Sequence, residues 1–104
     1  MVDVITACDL KKKLEKETCQ IVDVREFAEY QAARITGSKL IPLSEFEQKL
    51  TLIDRKKPAY FLCGVGKRAL KAAEYLEACG YKDLYVIEGG IKAWIEAGHP
   101  IDCG

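Results

Sequence analysis

One histidine, one tryptophan and three prolines occur in the 104 residues, and there is no Cys-x-x-Cys pair. Tetrahedral zinc sets built from Cys and His therefore find no workable spacing, and no metal is expected. The five cysteines, at 8, 19, 63, 79 and 103, are odd in number. That argues against a disulfide framework and for reduced thiols in a reducing compartment. Net charge is missing too, because sixteen Lys and Arg balance sixteen Asp and Glu. Nothing in this balance draws the protein to nucleic acid, to a membrane surface or to an acidic partner. No apolar run approaches the ~20 residues of a membrane span. Met1-Val2-Asp3-Val4-Ile5 lacks the basic start and apolar stretch of a secretion signal. The expectation is a cytoplasmic protein with no nucleic-acid or membrane partner.

What is present suits a soluble globular fold: 49% hydrophobic and 31% charged residues. The length predicts a single domain over 1–104, with no repeat, low-complexity run or linker. Val2–Ile5 alternates and reads as a short edge strand. Thr6 follows at an N-cap position with Asp9 three residues on, and Leu10 and Leu14 make one apolar stripe. The other faces of that helix carry Lys11, Lys12, Lys13, Glu15, Lys16 and Glu17, a solvated mixture. Cys19–Val24 is short, apolar and β-branched, the pattern of a buried strand. Glu26–Tyr30 reads as a short helix, Ile35–Ser38 as a turn, and Lys39–Pro42 as a third strand closed by proline. Ser44-Glu45-Phe46-Glu47 has the form of a capping box opening a helix to about Leu50 or Ile53.

Asp54–Pro58 is a polar break, and Ala59–Leu62 is the fourth strand. Ala69, Ala72, Ala73, Leu76 and Cys79 then form a narrow stripe suited to close packing on a sheet, with Gly80 at the C′ position. Leu84–Ile87 is the fifth strand and Glu88-Gly89-Gly90 a turn. Ile91, Trp94 and Ile95 share one side of a last helix, ended by Gly98 and Pro100. Short buried strands alternating with helices predict an α/β fold: a mainly parallel sheet of about five strands covered on both faces.

Ligands of open α/β sheets bind beyond the carboxyl ends of the strands. Cys63 lies just past such an end. Gly64, Val65, Gly66, Lys67 and Arg68 follow, and then a helix starts. A thiolate at Cys63 gains from the helix dipole, from loop N–H donors and from the two cations. Gly64 and Gly66 let the backbone curl so that several amides point inward. A Walker A motif would need glycine at 61 and Ser or Thr at 68, where Phe61 and Arg68 stand. A cysteine-dependent phosphatase cradle would need Arg at 69, one position later than Arg68. The shorter loop matches a sulfur atom better than a phosphoryl group. Cys-x-x-Gly-x-Arg is the pattern that fits.

Cys63-Gly64-Val65-Gly66-Lys67-Arg68 resembles the six-residue active-site loop of the rhodanese family of sulfurtransferases. The resemblance runs through nearly the whole chain. Ile21–Glu26 with Glu29-Tyr30 is similar to the family's early Asp-Val-Arg segment, and Arg34–Ser38 stands where a His-Ile-Pro-Gly-Ala turn is usual. Gly80-Tyr81 and Glu88-Gly89-Gly90 through Trp94 resemble its late segments. Arg34 and Thr36 depart from the usual His and Pro, Gly64 from a larger residue, and Ala69 from a Ser or Thr.

This resemblance implies a rhodanese-like fold and covalent sulfur transfer with ping-pong kinetics. Cys63 would take the outer sulfur of thiosulfate or another persulfide donor, and the loop amides from Gly64 to Arg68 would surround the resulting persulfide. Cyanide, a small thiol or a sulfur-accepting protein would then remove it. No metal or organic cofactor is implied. The alternative is a non-catalytic or redox-sensing module of the same fold, in which Cys63 is oxidised instead. Elsewhere, Asp23 and Arg25 read as a structural ion pair anchoring the Glu26–Tyr30 helix. Cys79 reads as a core thiol, Cys103 as an inert tail residue, His99 as a surface residue and Trp94 as packing; Cys8 and Cys19 receive no role.

Overall fold

The computed structural model describes residues 2–64 and 67–103. Five strands, β1 (Val2–Ile5), β2 (Gln20–Asp23), β3 (Lys39–Leu40), β4 (Ala59–Leu62) and β5 (Leu84–Ile87), form one sheet in the order β1-β5-β4-β2-β3. Every pairing is parallel. β1 is an edge strand, as its alternating pattern predicts, and β4 is the middle one.

All four residues of β4 are buried, and they serve opposite faces in turn. Ala59 and Phe61 enter a core with Val22, Val24, Ala72, Ala73 and Leu76, whereas Tyr60 and Leu62 enter one with Ile21, Leu10 and Trp94. This two-sided burial explains why the strand reads as an unbroken apolar run. Each large side chain so buried contributes about 1.5–3 kcal/mol. The helices α1 (Ala7–Lys16) and α5 (Gly90–Glu96) cover one face, and α3 (Phe46–Lys49) and α4 (Lys67–Ala78) the other; α2 (Phe27–Ala32) follows β2. The small residues Ala69, Ala72 and Ala73, all fully buried, bring α4 close to the sheet. Thr6 caps α1 as expected, its Oγ1 accepting the Asp9 N–H at 3.1 Å.

Four expectations are corrected. The Ser44 capping box does not form: a 3₁₀ turn at Leu43–Glu45 precedes α3, and another at Leu50–Leu52 follows it. Leu43 N–H is drawn to the Val24 carbonyl, and Ser44 Oγ donates to the Glu26 carboxylate at 3.2 Å instead of capping. Cys79 is exposed rather than buried. Ten residues along an α-helix return a side chain to roughly 80° from where it began, and α4 has already ended at Ala78. Ile95 is also exposed, so only Ile91 and Trp94 face the core. His99 is half-buried, its ring edge-on to Trp94 at 4.8 Å, because Gly98 with φ +79° turns the chain back over that helix. Trp94 packs as predicted, and its indole N–H reaches the Pro100 carbonyl at 2.8 Å.

Candidate active site

β4 delivers Cys63 to the carboxyl edge of the sheet at its middle strand. The side chain is 1% exposed. Its Sγ accepts the backbone N–H of Ala69 at 3.4 Å. α4 begins at Lys67, so this amide belongs to the first turn, where helix geometry leaves N–H groups without intrahelical partners. The same turn directs the positive end of the helix dipole at the sulfur. Ala69 was not among the expected donors, although the predicted helix start was the signal that could have found it.

A second helix clamps the loop from above. Ile91 and Lys92, at the start of α5, donate their N–H groups to the carbonyls of Cys63 at 2.8 Å and Gly64 at 3.3 Å. The approach is possible because residue 90 is glycine. A Cβ there would collide with the Cys63 carbonyl oxygen and lie 2.6 Å from that of Gly64. Gly90 also has φ +59° and Gly89 φ +74°, left-handed values that suit glycine.

Arg68 reaches toward α2. Its two terminal nitrogens donate to the two carboxylate oxygens of Glu29 at 2.9 and 3.0 Å. The Arg68 hydrogen bonds hold the Glu29 carboxyl down at about 2, against partial desolvation. In return Glu29 raises the guanidinium pKa, with lesser contributions from Cys63 and Asp23. Gly64 lies beneath this guanidinium, since a Cβ there would be 3.2 Å from Nη2. Lys67 is exposed at the start of the helix. Beside it, a shallow apolar groove is lined by Val4, Leu70, Val86 and Gly89.

Glu29 is itself held in place. Its Oε1 accepts the N–H of Glu26 at the start of α2, at 3.1 Å. The far end of α2 is secured by Arg25, which donates to the Ala33 carbonyl while pairing with Asp23 at 2.8 Å. Asp23 is fully buried and Arg25 is 5% exposed. The pair is thus structural, as expected, and it aims α2 so that Glu29 meets Arg68.

The expected site residues Cys63, Gly64, Lys67 and Arg68 are therefore gathered at one edge of the sheet, while Val65 and Gly66 lie outside the described residues. Glu29 and Gly90 join the site without having been singled out for it; both sit inside sequence segments that resemble rhodanese-family motifs. The other thiols stand apart in character. Cys8, Cys79 and Cys103 are exposed, and burial pushes the half-buried Cys19 thiol up. The segment before Cys103 is not loose, because Arg34 and Asp102 exchange backbone hydrogen bonds at 2.9 and 2.8 Å. Among the described residues, no group of three or more His, Cys, Asp or Glu is placed to hold a metal, and no helix is long and apolar enough to cross a membrane.

A parallel α/β sheet with a cysteine loop at its middle strand defines a class, and comparison with known proteins identifies it. Residues 6–97 match the family model of the rhodanese-like domain, and the chain belongs to that family. It is 37% identical over 75 residues to the uncharacterized protein YqhL of Bacillus subtilis, covering 72% of this chain and 60% of that one. It spans only 27% and 46% of two further curated relatives. Thiosulfate sulfurtransferase GlpE of Pseudoalteromonas translucida is 32% identical over 81 residues, covering 78% of this chain and 77% of GlpE. The crystal structure of a rhodanese-related protein from Thermoplasma volcanium superimposes with a TM-score of 0.90 at 33% identity, covering 98% of this chain and 99% of that one.

Proposed function

We propose that this chain is a sulfurtransferase in which Cys63 carries the sulfur. The observation that supports this most directly is the Ala69 N–H aimed at Cys63 Sγ from the first turn of α4, at 3.4 Å. A donor fixed by the backbone can stabilise negative charge on sulfur without reorganising during the reaction. The likeness to a relative named thiosulfate sulfurtransferase supports the same reading.

In the first step the Cys63 thiolate attacks the outer sulfur of thiosulfate. A new S–S bond forms, the donor S–S bond breaks, and sulfite leaves with the bonding electron pair. The enzyme then holds an anionic persulfide on Cys63. We assign the stabilisation of its terminal sulfur to the backbone amides of the Gly64, Val65, Gly66, Lys67 and Arg68 loop, and Lys67 draws the anionic donor to that loop. In the second step cyanide or a thiolate attacks that terminal sulfur and departs as thiocyanate or a new persulfide. Cys63 is released as the starting thiolate. An organic persulfide serves as donor in the same way, with a thiolate as leaving group, and a protein thiol serves as acceptor. The two half-reactions give ping-pong kinetics.

Intact-protein mass spectrometry after incubation with thiosulfate tests this. The expected result is the added mass of one sulfur atom, removed by cyanide and absent from Cys63→Ser. Peroxide-dependent oxidation of Cys63, with no sulfur gained under excess of any sulfur donor, would overturn it.

A further inference from the structure

The one cation that ends the loop motif is already occupied. Arg68 gives both terminal nitrogens to Glu29, and the two side chains are 40% and 42% exposed, so the pair is open to solvent beside Gly64 of the loop. Glu29 is not free to swing aside: its Oε1 also accepts the Glu26 N–H, and α2 is secured at its far end by Arg25. The donor therefore meets a neutralised Arg68 with a fixed carboxylate beside it.

We propose that Glu29 sets donor specificity, by cancelling the charge of Arg68 and so disfavouring doubly charged sulfur donors relative to singly charged or neutral ones. The assignment rests on the sulfurtransferase reading above and deepens it. Glu29 touches no reacting atom; it acts through Arg68 and is a positioning residue. The physical basis is Coulombic. Two unit charges about 6 Å apart, in a medium between protein and water, interact strongly enough to change capture about five-fold for each unit of donor charge. Screening by salt reduces that factor.

Two donors that differ in charge and share their chemistry make the test. Thiosulfate is a dianion and releases sulfite; benzenethiosulfonate is a monoanion and releases benzenesulfinate. With each, the Cys63 thiolate takes the outer sulfur, the donor S–S bond breaks, and sulfite or benzenesulfinate leaves with the electron pair. Glu29→Gln removes the charge and keeps an oxygen for Arg68, and Glu29→Ala serves if the glutamine variant does not fold. Glu29→Asp keeps the charge. The expected result in low salt is a rise of about five-fold in the ratio of kcat/KM for thiosulfate to that for benzenethiosulfonate. The rise is carried by KM, present in both charge-removing variants and absent from Glu29→Asp. A merely structural Glu29 would change both donors alike, and an unchanged ratio overturns the assignment. Failure of the unaltered protein to gain sulfur from either donor overturns the sulfurtransferase reading itself, and the assignment with it.

Discussion

Gly90 packs against the carbonyl of Cys63 so closely that no side chain fits between them, and the neighbouring Ile91 N–H bonds that same oxygen at 2.8 Å. The start of α5 thereby holds the end of β4 in position. Gly90→Ala is expected to suffer twice. A left-handed alanine costs about 1–2 kcal/mol, and forcing a methyl into filled space adds about 1–3 kcal/mol. Gly98 provides the comparison, with φ +79° and nothing within 4 Å of the point a Cβ would occupy. Gly98→Ala should show only the backbone cost. Denaturant midpoints measure the difference; equal losses at the two positions would mean that α5 yields without disturbing the loop.

Asp23 and Arg25 form a buried ion pair with a further bond to the end of α2. Removing one partner strands a charge out of water, which costs about 3–5 kcal/mol. Asp23→Ala and Arg25→Ala should each lose about that much, and the double variant much less than the sum. Urea unfolding of the four proteins completes the cycle. Strict additivity would show that the two charges do not stabilise each other.

β4 and β5 were legible to the residue because a strand buried on both faces must be apolar throughout, and polar or glycine breaks bound each run. The loop at Cys63 was legible for a related reason, since a thiol, glycines and a helix start coincide there. The partner of Arg68 was not. Glu29 is 39 positions away in sequence, and only the sheet order, with β2 beside β4, brings α2 across to α4. Ser44 misled for the opposite reason. Its local pattern was sound, but a long-range bond from Leu43 to Val24 and the Glu26 carboxylate took precedence.

Acid should expose the Glu29–Arg68 pair. Glu29 has its carboxyl at about 2, below its usual 4.5, chiefly through the Arg68 hydrogen bonds. A carboxyl depressed in the folded state contributes stability above its unfolded pKa and loses it as pH falls through the folded one. The contribution is therefore complete above about pH 5 and gone near pH 2. The pair is well exposed, so screening limits it to about 1 kcal/mol. Glu29→Gln should be less stable than the unaltered protein by that amount at pH 7, with the gap closing between pH 4.5 and 2. Melting curves across this range decide, and a gap independent of pH would assign the loss to packing.

Lys67 is exposed at the first turn of α4, whereas Arg68 is tied to Glu29. The two cations of the motif should then behave differently when removed. Lys67→Ala leaves the fold within about 0.5 kcal/mol, as surface changes usually do. It should nonetheless slow capture of thiosulfate several-fold, and more at low salt than at high salt, because an exposed charge steers an anion through solvent. Arg68→Ala should lower the melting temperature, since it leaves Glu29 without its cation. Stopped-flow sulfur loading at two ionic strengths, alongside thermal melts, separates the roles. A Lys67→Ala protein whose loading rate and salt dependence matched the unaltered protein would show that steering comes from elsewhere.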